Sequence, residues 1–248
     1  MKSRGICFFE PLTIFMIACI FMFCNCITPT DGNDPNQKQK TIKDIDGNVY
    51  KIVKIDDQWW MAENLNVTRY RNGDEIPDVT GTTAWENLTI NGYCTYENNE
   101  INAATYGRLY SWCAVTDPRG LAPAGWHLPS DEEWKQLEVL LGMSQSVADQ
   151  SGWRGSDEGG KLKVTGTMLW NSPNTAATNT TGFAALPGGC RNSDGDFGFV
   201  GEGGYFWSST EFDASSAWAR NLFYHYAGVV RDCSKKNFGR SVRCVRDN

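Results

Sequence analysis

The sequence predicts an α+β fold, with antiparallel sheets, two helices and a long irregular loop region, and three observations carry that prediction. Apolar and polar residues alternate with a strand's period of two just after Thr41 and again towards the C-terminus. Between those ends, two segments repeat their apolar residues at helical spacing. From Gly142 to the returning strands the chain is rich in Gly, Asn, Ser and Thr and keeps no period, which marks loops.

At the N-terminus, Lys2 and Arg4 precede an apolar run from Leu12 to Phe23. That run has the length of a signal-peptide core and falls short of the ~20 residues that a bilayer span requires. Residues 1–25 are therefore expected to be a secretion signal, with a retained membrane anchor as the alternative. Residues 26–40 have the polar composition of a flexible tether, and residues 41–248 read as a single domain without internal repeats.

The domain opens with TIKDIDGNVYKIVKIDDQWWMAENL, where Asp46-Gly47 suits the positive φ of a hairpin turn; a third strand follows near Gln58 to Met61. DIDGN has the start of a calcium loop but lacks the later ligands and the closing Glu, so it is read as a turn. Tyr70 to Asn102 forms an excursion with a short strand at Gly92 to Tyr96. Tyr106, Leu109, Tyr110 and Cys113 stand at i, i+3, i+4 and i+7, which predicts a helix from about Ala104 to Val115. In GWHLPSDEEWKQLEVLLG, Ser130 is the N-cap, Glu133 completes a capping box, and Asp131 and Glu132 face the positive helix end. Trp134, Leu137 and Leu141 form the buried face and Gly142 ends the helix, while His127 reads as a hydrogen-bonded structural residue. YFWSSTE, AWARNLFY, GVVRDC and RSVRCVRD then close the domain as an antiparallel sheet.

Composition excludes several function classes. The 23 Lys and Arg against 29 Asp and Glu give a net charge of −6, and no basic run is dense enough for a row of phosphates, so no nucleic-acid partner is expected. His127 and His225 are the only histidines, and no C-x-x-C pair lies beyond the leader, so no metal site is expected. G-x-S-x-G and the phosphate-cradling G-x-x-x-x-G-K-[ST] are missing; no cofactor and no catalytic residue is expected. Cys94, Cys113, Cys190, Cys233 and Cys244 form an odd set, read as disulfides or buried thiols, with Cys190 and Cys233 as the candidate bridge.

Cys19, Cys24 and Cys26 crowd the end of the apolar run, and Cys26 is followed by ITPTDGNDPNQKQK. This arrangement resembles a bacterial lipoprotein precursor, with Cys26 as the expected lipidation site. Loss of Lys2, Arg4 and Glu10 with the leader would change the charge from −6 to −7, so the anchor and not charge would hold the protein at an anionic membrane. The ordered words DIDGNVYKIVKI, QWWMAENLNV, YGRLYSW, PAGWHLPSDEEW, GGKLK, TGFAALPGG, FWSSTE and SVRCVRD resemble the Fibrobacter succinogenes major paralogous domain over about Thr41 to Asp247. The resemblance implies a C-type lectin-like fold and a place on surface lipoproteins or secreted proteins of Gram-negative bacteria, at the outer membrane; the family's biochemical role is not established. PSDEEW and VRCVRD also look like the formylglycine-generating relatives of that fold. Ala122 stands where the family often has Cys, removing a bridge to Cys244 for which Cys113 or Cys94 could substitute. Asp56 replaces the family's usual Gly in the second turn.

The leading functional expectation is a non-catalytic, lipid-anchored cell-surface binding module whose ligand is a glycan. Its recognition surface is expected in the loop region from about Gly152 to Asp213, because aromatic faces stack on sugar rings while amides and carboxylates meet hydroxyl groups. Trp153, Arg154, Trp170, Asn171 and Asn174 are the candidates, joined by Glu202, Glu211 and Asp213. Each Trp has an alternative place in the core. Ser172 to Asn174 (SPN) only partly echoes a calcium lectin's motif, so no tightly bound calcium is expected. The alternative is a surface adhesion or assembly component that binds protein through strand edges or loops. A third reading, a formylglycine-generating-type enzyme, would use Cys190 with Cys233 or Cys244.

Overall fold

Alternation after Thr41 folds into the predicted meander: β1 (Thr41–Lys43) and β2 (Val49–Ile55) pair antiparallel with Thr41 opposite Lys51, and β3 (Gln58–Met61) pairs with β2. Gly47 takes φ +91° in the first turn, whose Asp44 carboxylate accepts from the Asn48 N–H at 2.9 Å. Asp56 closes the second turn at φ 50°, a left-handed position that Asp tolerates better than most residues. The computed structural model describes residues 40–247. The expected signal peptide (1–25), the tether as far as residue 39, and Cys19, Cys24 and Cys26 lie outside the described residues.

Next come α1 (Thr82–Glu86), β4 (Tyr93–Cys94), a single 3-10 turn over Tyr96–Asn98, α2 (Glu100–Tyr106), β5 (Leu109–Tyr110) and α3 (Trp112–Val115). The helix expected from Ala104 to Val115 is therefore not continuous. Gly107 ends α2 at φ +74°, and a Cβ there would lie 2.8 Å from both Asn64 Cβ and the Leu65 carbonyl oxygen. Only glycine lets the chain pass that close, and the Arg108 N–H then donates to the Leu65 carbonyl. The period of Tyr106, Leu109, Tyr110 and Cys113 reports burial from two sides of a turn and not one helix face.

After β6 (Trp126–His127), α4 (Asp131–Leu140) begins as predicted: the Ser130 hydroxyl accepts from the Glu133 N–H, and Glu133 accepts from the Ser130 N–H at 2.8 Å. His127 is held between Glu133 (2.7 Å) and Asp247 (2.6 Å). The stretch expected to be irregular contains α5 (Gln145–Ala148), β7 (Gly152–Arg154), α6 (Glu158–Leu162), β8 (Gly188–Arg191) and β9 (Phe197–Val200). All four residues of β8 are buried, so its two glycines, Cys190 and Arg191 show no alternation. The closing strands are β10 (Gly203–Glu211), β11 (Ser216–Phe223) and β12 (Val229–Lys235), and β13 (Val245–Arg246) follows them.

The fold is α+β, with sheets in the orders β1-β2-β3-β13-β6, β7-β12-β11-β10-β8-β9 and β4-β5. RSVRCVRD thus leaves the closing sheet: Val245 pairs with Trp60 and His127, which brings the C-terminus back to the N-terminal meander. A core of Trp60, Trp134, Trp170, Phe183, Phe206 and Leu222 joins both large sheets to α4 and the long loop. Trp60 and Trp134 lie 5.0 Å apart, and Trp134 and Phe206 5.9 Å. Truncating one such ring to Ala costs about 3–5 kcal/mol in a packed core.

Charges also fasten α4 to the sheet. Glu138, fully buried, receives Arg154 at 2.7 Å and Arg220 at 2.6 Å; Asp131 receives Arg220 and Arg231, each at 2.7 Å. Burial pushes the Asp131 carboxyl up, but Arg231 and Arg220 outweigh it and hold it below the usual range. Asp131 and Glu138 are therefore more than helix-end charges.

Cys94, Cys113, Cys190, Cys233 and Cys244 are all free thiols, which corrects the expected Cys190–Cys233 bridge and the substitutes suggested for Cys244. Cys190 lies on β8 and Cys233 on β12, with β10 and β11 between them. Three strand spacings of ~4.8 Å exceed the ~7 Å limit for bridged Cα atoms.

Candidate functional site

Strand alternation sends Tyr205, Phe223 and Val230 to one face of the six-stranded sheet and Phe206, Leu222 and Val229 to the other, where α4 packs. On the outer face a row of rings crosses the strands. Trp153 on β7 stacks on Phe223 of β11 at 5.0 Å, Phe223 meets Tyr205 of β10 edge-on at 5.7 Å, and Tyr205 meets Phe199 of β9 at 5.8 Å. Tyr226 and His225, in the turn after β11, meet Trp153 at 4.9 and 5.8 Å. Trp153 is 57% exposed and Phe199 46%, whereas Tyr205 is 7% exposed and forms the floor. Gly203 makes room for that floor: a Cβ there would lie 2.6 Å from the Tyr205 ring.

Buried polar groups set the turn that carries Phe223 to Tyr226. Lys163, with no exposed surface, donates through Nζ to the carbonyls of Phe223 (2.9 Å), Tyr226 (2.9 Å) and Thr175 (3.0 Å). Burial lowers its pKa to about 8. The Tyr226 hydroxyl donates to the Arg154 carbonyl at 3.0 Å, and Arg240 stands 5.3 Å from the centre of the Tyr205 ring. Burial pushes the Tyr205 phenol up, so it stays neutral.

Three of the sequence candidates meet at this strip. Trp153 is more exposed than Phe199 at the other end of the row. Asn171 is exposed, and its N–H donates to the Gly201 carbonyl at 2.8 Å. Glu202, also exposed, lies between backbone bonds to Phe199 and Tyr224.

Three others are corrected. Trp170 is 1% exposed, its indole donating to the Ala185 carbonyl at 3.1 Å inside the core. Arg154 is 3% exposed and bound to Glu138, because alternation on β7 turns it inward from Trp153. Asn174 is 5% exposed and donates to the carbonyls of Val164 and Gly166, tying the long loop together.

Glu211 and Asp213 are exposed but sit at the far end of the β10–β11 hairpin, about 25 Å away at a strand's rise per residue. Glu211 pairs there with Lys236 at 2.7 Å, and Asp213 accepts from Ser215 in its own turn. Phe199, Tyr205, Phe223, His225, Tyr226 and Lys163 escaped the sequence reading. The aromatic run from Phe223 to Tyr226 was the available signal.

Cavities lie elsewhere. One of about 480 Å³ is lined by Leu88, Ile90, Trp112, Cys113 and Lys236; another of about 610 Å³ by Arg69, Glu75, Asp78 and Tyr93. Two smaller ones, about 270 and 250 Å³, flank Lys43 to Asp44 and Asn48 to Tyr50. Among the described residues no cluster of three His, Cys, Asp or Glu side chains could hold a metal ion. Burial pushes the Cys94 thiol up to about 12 and Cys190 up to about 11, which keeps both protonated and weakly reactive.

The family model described as the Fibrobacter succinogenes major domain matches residues 53–246. The chain belongs to that family. The match runs from within β2 into β13 and so includes every ring of the strip. No curated protein and no solved structure matches the chain.

Proposed function

We propose that this member of the Fibrobacter succinogenes major domain family is a non-catalytic binding module of the cell surface, lipid-anchored through Cys26, that takes glycans on the outer face of its six-stranded sheet. One observation carries the reading: Trp153 keeps 57% of its surface exposed while stacked on Phe223, within a row of rings flanked by Asn171 and Glu202. Monomeric domains rarely leave large aromatics in an exposed group without a use for them. Ring faces suit the C–H faces of sugars, and the amide and carboxylate suit hydroxyl groups. Neutral, buried thiols at Cys94 and Cys190 favour binding over cysteine chemistry.

A glycan array probed with and without calcium tests the proposal. Wild type is expected to bind a set of neutral glycans regardless of calcium, and Trp153→Ala to lose that set with an unchanged melting temperature. No binding at high protein concentration, or full binding by Trp153→Ala, would overturn it.

A further inference from the structure

The strip has two exposed anchors, Trp153 and Phe199, joined by a floor of half-buried Phe223 and buried Tyr205. Resting on the glycan reading, we infer that it selects an extended, uncharged glycan chain that touches both anchors, in preference to a terminal sugar or an acidic polymer.

Spacing supports the length requirement. From Trp153 to Phe199 the rings advance by 5.0, 5.7 and 5.8 Å, each step comparable to one pyranose unit of an extended chain. A monosaccharide reaches one anchor, whereas about four linked units, one per ring, reach both, and the second contact is then intramolecular. Trp153 and Phe199 are exposed and Phe223 is half-buried, so the row across β7, β11, β10 and β9 is accessible at both ends.

Charge supports the preference for a neutral chain. Three cations beside the strip, Arg154, Lys163 and Arg240, are buried: Arg154 on Glu138, Lys163 on three carbonyls, Arg240 on Asn221 and Ser234. Exposed Glu202 adjoins the row, and Asp232, two residues beyond Val230 on β12, is exposed on the same face. A uronic-acid chain would meet these carboxylates, while hydroxyl groups can donate to them.

Calorimetric titration of the full chain in detergent tests this, using di- to hexasaccharides of the cellulose, xylan, mannan and laminarin series, and hexagalacturonate. Affinity is expected to climb from disaccharide to tetrasaccharide and then level off, with hexagalacturonate at least about tenfold weaker than the best neutral hexasaccharide. Trp153→Ala and Phe199→Ala should each weaken the hexasaccharide about tenfold and flatten the dependence on length. If Trp153→Ala lowers the melting temperature, Trp153→Leu, which keeps apolar cover over Val230, takes its place. Equal affinity for disaccharide and hexasaccharide, or equal binding of hexagalacturonate, would overturn the inference and leave the glycan reading standing. Failure of every neutral series to bind would overturn both.

Discussion

Lys163 shows how one side chain fixes the turn beneath the aromatic strip. A fully buried ammonium that faces no carboxylate persists because its Nζ donates to three carbonyls, those of Thr175, Phe223 and Tyr226. Lys163→Met should therefore destabilise the protein by about 1–3 kcal/mol at neutral pH, measured by urea unfolding. The sign of the pH effect follows from a folded-state pKa near 8 against 10.5 for the free side chain. The unfolded chain binds more protons between those values, so the advantage of wild type over Lys163→Met should widen as pH rises from about 8 to 10.5 and stay flat below 8. A difference independent of pH across that window would contradict this role. Lys163 was not readable as a site residue, because a lysine in GGKLK carries no sign of which carbonyls it will meet. Trp153 and Trp170 were equally good candidates for the same reason: an indole's sequence neighbours do not say which side of a sheet it takes, and tertiary packing left one exposed and buried the other.

At the scale of elements, local rules succeeded where local interactions dominate. The capping box at Ser130 and the turn at Asp46-Gly47 are satisfied within a few residues, and both stand where the sequence puts them. Gly107 and β8 were missed because their conformations answer to chain beyond their own turns, Asn64 and Leu65 in one case and the parallel partner β10 in the other. The docking of α4 belongs to the same class. Its capping box was evident, but the pairing of Glu138 with Arg154 and Arg220 joins residues 16 and 82 positions apart. Glu138→Ala strips a buried carboxylate from two buried guanidinium groups and should cost about 3–5 kcal/mol in urea unfolding. It should also loosen β7, seen as faster amide hydrogen exchange in Gly152 to Arg154. A loss under about 1 kcal/mol would mean that water replaces the carboxylate and that the network does not fasten the helix.

For the whole molecule, the chain closes on itself: β13 returns to the meander begun by β1, and the six-stranded sheet buries one face against α4 while the other face is buried at Trp207 and Ala219 and leaves Trp153 and Phe199 exposed. The α+β class, the opening meander, α4 and the closing strands β10 to β12 were visible in the sequence, whereas the break of the first expected helix at Gly107 and the elements inside the expected loop region were not. The aromatic strip was visible only in part, since it arises from β7, β9, β10 and β11 together and not from the loops alone. The most direct measurement is the indole N–H spectrum of uniformly labelled protein titrated with the neutral hexasaccharide that binds best. The structure predicts that Trp153 shifts progressively while the core indoles of Trp60, Trp134, Trp170 and Trp207 hold still. Shifts at Trp112, beside the cavity of about 480 Å³, with Trp153 unmoved would place the ligand elsewhere and contradict the outer-face account.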